Sequence, residues 1–406
     1  MTVAATDGLG VEKFTTARDP LRIALVAPPM KAVPPDGYGG TERVVAALAN
    51  GLHARGHEVT VYATGDSDVP CRLIPTMPRS LWADGYRGDV SAYMQVAAAR
   101  VWRDSRQFDI IHSHLESHGF LLARHCKTPV VSTLHGRLDN SGLPDLLEEF
   151  ADIPLVAISR SQRRFWPSLN WVATVHHGLG LADMPHRDGP GDYLALVGRI
   201  THEKGIAEAI ELARRTSMPL KIAAKVHDQA ESDMFESVVR PAIESGIVDF
   251  QGELQPDRRD LLLAGARATL MLGAWPEPFG LVAIESLATG TPIIGRRAGA
   301  LPELIEHGVD GYLVDDLIEA ELAVRRVADF DRRRIRERAI ERFSTERMVR
   351  DYEAVYRRLI GARDSTAVVA SPSASALPGF AATSGSGNAN NNGNGSHSSP
   401  TGGGSR

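Results

Sequence analysis

Cysteine is scarce in this chain, because only Cys71 and Cys126 among its 406 residues are cysteines. Two cysteines are too few for a disulfide framework and lack metal-ligand spacing, which favours a reducing, cytoplasmic compartment. A basic excess is also missing, since 45 lysines and arginines stand against 50 aspartates and glutamates, for a net charge of -5. Proteins that bind nucleic acid usually carry the opposite balance, so the composition argues against that class.

Long apolar runs are absent as well. Residues 1–19 contain no apolar stretch long enough for a signal peptide, and no later segment approaches the length of a transmembrane helix. We therefore expect a soluble chain with at most a peripheral membrane contact. The arginine- and aromatic-rich segment 159–171 is the candidate for such a contact. A helix that packs its aromatic side chains inward is the other interpretation of that segment.

Short apolar runs alternate with helical patterns along most of the chain, which is typical of parallel sheets with crossover helices. One series of strands starts at residues 21–28, and a second starts at 193–199 after a Pro/Gly-rich segment. The length exceeds one ordinary core, so we predict an α/β fold of two doubly wound domains facing a cleft. The predicted parts are a flexible leader (1–19), an N-terminal domain (20–183), a C-terminal domain (193–343), a final helix (344–362) and a disordered low-complexity tail (365–406).

The clearest chemical pattern lies in residues 276–316. There Glu277 and Glu285 flank a loop that enters a helix beginning near Leu281. The first N–H groups of a helix can bind an anion, and a glycine such as Gly280 lets the backbone approach a ligand closely. The carboxylate of Glu285 can accept the vicinal hydroxyls of a ribose, and that of Glu277 can accept hydroxyls of a second sugar.

This segment resembles the E-x7-E signature of glycosyltransferase family 4, and LVGRITHEKG (196–205) resembles the second donor motif of that family. Five further motifs follow the expected order: GYGGTE (37–42), HSH (112–114), STLHG (132–136), AIS (157–159) and HHGL (176–179). The resemblance covers residues 21–360 and implies the GT-B fold of two Rossmann-like domains. In that fold the N-terminal domain (20–183) would bind the acceptor, the C-terminal domain (193–343) would bind the nucleotide sugar, and the helix 344–362 would cross back to the first domain. The GYGGTE, LKIAAK and FQGEL segments of this chain further resemble a bacterial branch of the family that includes UDP-glucose:tetrahydrobiopterin glucosyltransferases.

The resemblance implies transfer of a hexose from a nucleotide sugar, with UDP-glucose as the first guess, to a hydroxyl acceptor with retention of anomeric configuration. Neither a metal ion nor a cofactor is expected, because two cations on the pyrophosphate can stabilise the leaving group. Arg199 and Lys204 would be those cations, a bidentate guanidinium and a mobile point charge. The acceptor stays open among small molecules, lipid-linked sugars and glycans, as does the oligomeric state.

The same resemblance assigns roles to the other candidate residues. Glu285 would bind the ribose, and Leu281 begins the helix that carries it. Glu277, a catalytic candidate, would hold hydroxyls of the transferred sugar with help from the main chain at Phe279 and Gly280. The second catalytic candidate is His135, which would lie beside the sugar ring at the end of a strand. Finally, Gly39 and Gly40 open a helix whose N–H groups would face the phosphates or the acceptor.

Other interpretations of these features remain. The histidines of HSHLESH (112–118) could hold a metal, but only two of them share a strand face and no further ligands are evident. An epimerase or phosphorylase on the same fold, or a catalytically silent subunit that binds a nucleotide sugar, would use the same donor pattern. A dinucleotide oxidoreductase is disfavoured, because no G-x-G-x-x-G follows the first strand.

Overall fold

The computed structural model describes residues 19–369 except Tyr38, Asn140 and Ser141, with side chains described as far as residue 363. Apart from their inner ends, the predicted leader and the predicted tail therefore lie outside the described residues. None of the described helices is long and apolar enough to cross a membrane.

The N-terminal lobe is built on one parallel sheet. Its strands are β1 (Arg22–Val26), β2 (Glu58–Thr64), β3 (Arg72–Met77), β4 (Ile110–Ser113), β5 (Val130–Thr133), β6 (Leu155–Ala157) and β7 (Trp171–Thr174). Its helices are α1 (Gly40–Ala54), α2 (Ser91–Arg103), α3 (Phe120–Arg124), α4 (Pro144–Glu149) and α5 (Arg160–Arg164). The strand order is β3-β2-β1-β4-β5-β6-β7, which reverses direction between β1 and β4 as in a doubly wound fold.

The C-terminal lobe repeats the plan with a second parallel sheet. Its strands are β8 (Leu194–Arg199), β9 (Leu220–Lys225), β10 (Val248–Phe250), β11 (Ala268–Met271), β12 (Ile293–Arg296) and β13 (Gly311–Val314). The helices that follow are α6 (Ile206–Thr216), α7 (Gln229–Met234), α8 (Arg240–Glu244), α9 (Pro256–Gly265), α10 (Leu281–Ala288), α11 (Leu301–Leu304), α12 (Leu317–Arg326), α13 (Arg332–Phe343) and α14 (Thr345–Val369). The strand order is β10-β9-β8-β11-β12-β13, and the predicted pair of doubly wound domains is thereby confirmed.

The first unit shows how the sequence specifies these elements. The apolar run of β1 is buried from Ile23 onward, as expected for a strand covered on both faces. Helix α1 buries one stripe, including Val44, Leu48 and Leu52, against the sheet. It ends just before Gly56, whose φ of 88° is the left-handed conformation that commonly terminates a helix.

Helix α14 packs against the N-terminal lobe although it follows the C-terminal lobe in sequence. The Tyr356 hydroxyl lies 2.7 Å from Nδ1 of His112, and the Tyr352 hydroxyl lies 3.0 Å from Oγ1 of Thr133. Both tyrosines are fully buried. The helix continues to Val369, so the first residues of the predicted disordered tail are helical in the structure, and the boundary at 362–365 is corrected.

The arginine-rich segment 159–171 folds with its indoles turned inward. Trp166 donates its Nε1–H to the Leu138 carbonyl at 2.7 Å, and Trp171 donates to the Trp166 carbonyl at 2.7 Å. Phe165 alone among its aromatic side chains is an exposed large hydrophobic residue, 41% accessible. This arrangement agrees with the packing interpretation of the segment, since a single exposed ring offers little apolar area to a membrane.

Candidate active site

A cavity of about 410 Å³ lies between the two lobes, at the carboxyl ends of their strands. Ligands of open α/β sheets bind at this edge, because loops and helix N-termini converge there. Most of the candidate residues from the sequence line it: Gly39, Gly40, His135, Lys204, Glu277, Phe279, Gly280, Leu281 and Glu285. One predicted residue, Arg199, does not.

Two helix N-termini face this cavity. Helix α1 begins at Gly40 and helix α10 at Leu281, and neither N-terminus is capped by a side chain. They lie close together, because a Cβ atom placed on Gly40 would come within 3.3 Å of Leu281 Cδ1. Gly280 takes a φ of 97°, which favours glycine and turns the loop into α10. The positive ends of two helix dipoles therefore point at one volume, which suits an anion.

The loop that carries Lys204 depends on a close backbone approach. A Cβ atom on Gly273, just past β11, would lie 1.8 Å from the Glu203 carbonyl oxygen, so only glycine fits there. Gly205 has a φ of 70° and completes the turn. The loop places the Lys204 ammonium 2.6 Å from Oε2 of Glu277, so two residues predicted to bind the donor form an ion pair.

Glu285 is buried, with 1% of its side chain accessible, although it lines the cavity. Its Oε1 atom lies 2.5 Å from Nη2 of Arg43 and 3.0 Å from Nη2 of Arg259. Arg43 belongs to α1 of the N-terminal lobe and Arg259 to α9 of the C-terminal lobe. The carboxylate is thus neutralised from both lobes, and sequence reasoning did not predict either arginine.

Arg199 is placed differently from the prediction. It ends β8, and its Nε atom lies 3.2 Å from Oε1 of the buried Glu231. Because it is outside the set of residues that line the cavity, a contact with the donor pyrophosphate would require its side chain to leave Glu231. Its role as a phosphate clamp stays a prediction.

His135 lines the cavity as part of a stack of imidazoles. Its Nε2 atom lies 2.9 Å from Nδ1 of His114, and its ring stacks on His177 with centroids 5.2 Å apart. His177 in turn meets the Phe279 ring edge-on at 4.8 Å. Burial lowers the pKa of His135 to about 3, so this imidazole is neutral at ordinary pH and can exchange hydrogen bonds without adding charge beside a donor sugar.

Glu116 supports the strand-end loop that carries His135. Its Oε1 atom accepts the His135 N–H at 2.9 Å and the Gly136 N–H at 3.1 Å. The residue has a φ of 51°, a strained conformation for glutamate that is often found at functional sites. Burial raises its pKa to about 7, against the lowering effect of the two N–H groups. No sequence pattern singled out this residue.

Several contacts join the lobes around the cavity. Arg137 places its guanidinium 3.6 Å from the centroid of the Trp275 ring and forms an ion pair with Glu203. The Ser159 hydroxyl donates to the Pro278 carbonyl at 2.7 Å. Because these contacts flank the loop that carries Glu277 and Phe279, the N-terminal lobe helps to fix the geometry of the loop.

The N-terminal wall of the cavity offers a different chemistry. It includes the indole of Trp82, with the Lys31 ammonium 5.1 Å from the ring centroid, and the buried carboxyl group of Glu42. Burial raises the pKa of Glu42, and Lys31 opposes that rise. An aromatic face beside a carboxyl group is suited to a polar ring compound, so this wall is the candidate acceptor side.

The histidines of the segment 112–118 do not form a metal site. His112 is buried and contacts Tyr356 and Thr133, whereas His118 lies near the Leu115 carbonyl. Within the described part of the chain, no group of three or more His, Cys, Asp or Glu residues is arranged to hold a metal ion.

Comparisons with known proteins agree with this geometry. The family model "Glycosyltransferase Family 4" matches residues 38–181, and "Glycosyl transferases group 1" matches residues 185–345. The two matches meet between the lobes. The chain is therefore an enzyme of the GT-B glycosyltransferases, with a family 4 domain followed by a group 1 domain.

Its sequence relatives are also named as glycosyl-transferring enzymes. The chain is 27% identical to a glycogen synthase of Mycobacterium tuberculosis over 357 residues, covering 73% of this chain and 84% of the relative. It is 27% identical over 367 residues to a D-inositol 3-phosphate glycosyltransferase of Streptomyces scabiei, covering 75% of this chain and 82% of the relative. These relatives differ in product, so the family alone leaves the substrates of this chain open.

Solved structures share the fold. AviGT4, a glycosyltransferase of avilamycin A biosynthesis, superposes with a TM-score of 0.65 at 24% identity, covering 84% of this chain and 98% of the neighbour. Sucrose-phosphate synthase of Thermosynechococcus elongatus superposes with a TM-score of 0.67 at 20% identity, covering 85% of this chain and 100% of the neighbour. HepE of Anabaena, solved in complex with UDP and glucose, superposes with a TM-score of 0.63 at 16% identity, covering 82% of this chain and 99% of the neighbour. At these identities the likeness establishes the fold.

Proposed function

We propose that this glycosyltransferase moves a hexose from a nucleotide sugar to a hydroxyl acceptor, with retention of anomeric configuration and without a metal ion. UDP-glucose is the first candidate donor. The observation that carries the proposal is the convergence of Glu285, Lys204 and the N-terminus of α10 on one cavity. A carboxylate for a ribose, a cation for a pyrophosphate and a helix N-terminus are the parts that a nucleotide-sugar site needs.

The chemistry follows from where the charges lie. As the glycosidic bond breaks, negative charge accumulates on the leaving phosphate, and Lys204 together with the positive ends of α1 and α10 would stabilise it. Glu277 would accept hydroxyls of the transferred sugar once Lys204 turns to the phosphate. The neutral His135 would lie beside the sugar without repelling positive charge that develops on its ring. The leaving phosphate would take the proton of the acceptor hydroxyl.

The donor identity rests on a structural neighbour and on the size of the cavity. The neighbour HepE was solved in complex with UDP-glucose, and the cavity volume of about 410 Å³ lies within the range of small-molecule sites. The resemblance to pterin glucosyltransferases suggests a polar heterocycle as the acceptor, and the Trp82–Glu42 wall has the chemistry to receive one.

A thermal-shift screen tests the donor site. UDP, ADP, GDP and their common sugar conjugates are added to the protein with and without EDTA. A ligand at a hundred times its dissociation constant stabilises the folded state by about 2.7 kcal/mol. We expect one nucleotide series to raise the melting temperature and the rise to survive EDTA. A rise that EDTA abolishes would overturn metal independence.

Turnover then separates the remaining alternatives. Incubation with the selected donor and an acceptor panel, followed by proton NMR of the product, should give the same anomeric configuration as the donor. Conversion of the donor without an acceptor would instead support an epimerase or phosphorylase. Tight binding without turnover on any acceptor would support a silent binding subunit. Variants Lys204→Ala and Glu285→Gln should lose donor binding, whereas Arg258→Gln, an exposed arginine on α9, should keep it.

A further inference from the structure

Two guanidinium groups from opposite lobes converge on one oxygen of the buried Glu285 carboxylate. Both guanidinium groups approach the same atom, Oε1, at 2.5 Å from Arg43 and 3.0 Å from Arg259. Within the described part of the chain, Oε1 nevertheless has no partner with hydrogen-bond geometry, although it is buried. The two arginines therefore compensate the charge of the carboxylate at Oε1, and neither contact involves its other oxygen, Oε2.

The two arginines are held in different ways. Arg259, 13% accessible, is also held by the carboxylate of Asp260 at 2.7 Å. Burial lowers the pKa of Arg259, but the attraction of Glu285 and Asp260 outweighs that effect and raises the pKa overall. Arg43, 23% accessible, reaches Glu285 from the first turn of α1 in the opposite lobe. One arginine is thus a fixed part of the C-terminal lobe, and the other arrives with the N-terminal lobe.

A buried carboxylate without compensating charge would tend to become protonated, because burial penalises the charged form. Protonation would weaken it as an acceptor, since hydrogen bonds to an ionised group are roughly twice as strong as those between neutral groups. Glu285 has two such compensating charges, the guanidinium groups of Arg43 and Arg259. A charged, oriented carboxylate with unused acceptor capacity is well matched to a vicinal diol.

We propose that Arg43 and Arg259 are positioning residues of the ribose site, which balance the charge of Glu285 and orient its carboxylate so that it accepts hydrogen bonds from both hydroxyls of the donor ribose. The inference rests on the proposed function and goes beyond it, because it assigns ribose recognition to residues of both lobes. The arginines act through Glu285 and do not touch the phosphates. Since Arg43 comes from the N-terminal lobe, ribose recognition is complete only when the lobes are together.

The test compares three probes by calorimetry: UDP, 2′,3′-dideoxy-UDP and inorganic pyrophosphate. If the protein binds ADP or GDP instead of UDP, that nucleotide and its 2′,3′-dideoxy analogue replace the two uridine compounds. The wild type should prefer the ribonucleotide over the dideoxy analogue by about tenfold or more, because charge-assisted hydrogen bonds are lost. Glu285→Gln, Arg259→Gln and Arg43→Gln should each bring this ratio close to one, with pyrophosphate affinity unchanged. Arg258→Gln, on the same helix but exposed, should keep the wild-type ratio.

Two results would overturn the inference. The first is a wild-type ratio that persists in both arginine variants. The second is an equal loss of affinity for all three probes, which would mean a direct phosphate contact. If a glutamine variant does not fold, Arg259→Lys serves instead. It should keep part of the preference for the ribonucleotide over the dideoxy analogue, because the positive charge remains while the forked guanidinium geometry is lost. A wild-type protein that binds no nucleoside diphosphate would overturn the proposed function itself. If the wild type does bind but the arginine variants keep its preference for the ribonucleotide over the dideoxy analogue, only the role of the arginines is overturned.

Discussion

The Lys204 ammonium lies 2.6 Å from Oε2 of Glu277, so each of these two residues is the ionic partner of the other. Both side chains are partly accessible, at 27% and 21%, and an ion pair exposed to that degree contributes little to folding. Their proximity therefore has more to do with binding than with stability. A nucleotide sugar would separate them, giving the cation to the phosphates and the carboxylate to the sugar.

The first prediction follows from that pair. Lys204→Ala should change the free energy of unfolding by less than about 1 kcal/mol, because the pair is accessible. It should weaken nucleoside diphosphate binding by at least about tenfold, since a charge-assisted contact with phosphate is lost. Chemical denaturation and calorimetry measure the two effects. Lys127→Ala, an exposed lysine, is the control and should alter neither. A large loss of stability with unchanged affinity would contradict the assignment.

The second prediction concerns Glu116, whose pKa of about 7 in the folded state lies above the usual value of 4.5 for a glutamate. The folded state holds this proton more tightly than the unfolded state does, so the carboxyl group lowers stability progressively as pH rises from about 4.5 to 7. Glu116→Gln keeps an oxygen that accepts both backbone N–H groups but removes the titration. Its stability relative to wild type should therefore rise between pH 5 and pH 8, by up to about 3 kcal/mol.

Urea unfolding at the two pH values measures this difference. Glu116→Ala should be less stable than the glutamine variant at both, because it leaves two N–H groups without their acceptor, at a cost of about 1–3 kcal/mol. A glutamine variant whose relative stability is the same at pH 5 and pH 8 would show that Glu116 does not titrate in this range.

The third prediction concerns the buried imidazoles near the cavity. Burial lowers the pKa of four histidines far below 6.5: His112, His114, His135 and His177. They stay neutral in the folded state but take up protons on unfolding below about pH 6.5, so stability should fall as pH falls. Each adds about 1.4 kcal/mol per pH unit to that fall.

Histidine proton resonances followed by NMR from pH 8 to pH 5 check this expectation directly. The four buried rings should keep constant chemical shifts over this range, because each stays neutral in the folded state. A buried ring that titrates near 6.5 in the folded protein would show that the stack is open to solvent.

Much of the fold and part of the site could be predicted from the sequence. Glu277, Gly280, Leu281 and Glu285 are close in sequence, so one loop and one helix turn bring them together whatever the rest of the chain does. Arg259 gave no such signal, because its neighbours in sequence form an ordinary amphipathic helix and its approach to Glu285 is fixed by tertiary packing alone.

Three strands give a weak signal in the sequence, and their position in the fold explains why. β3, β7 and β13 all lie at the edge of a sheet. An edge strand has one neighbour and is less completely covered, so its sequence need not be a continuous apolar run. β3 even contains Pro75, a residue that sheets tolerate mainly at edges. The central strands β1 and β8 are apolar throughout most of their length, and they open the two predicted series of strands.

The last prediction tests the backbone approach that positions Lys204. A methyl group on Gly273 would lie 1.8 Å from the Glu203 carbonyl oxygen, a contact that no side-chain rotation relieves. Gly273→Ala should therefore displace the Lys204 loop or the end of β11 and lower the melting temperature. The loss in free energy of nucleoside diphosphate binding should exceed the loss in free energy of folding. Gly189→Ala is the matched control, because nothing lies within 4 Å of the added methyl group. Calorimetry and thermal melts on both variants measure the two effects, and an alanine variant with wild-type affinity would show that Lys204 needs no such fixed loop to reach the donor.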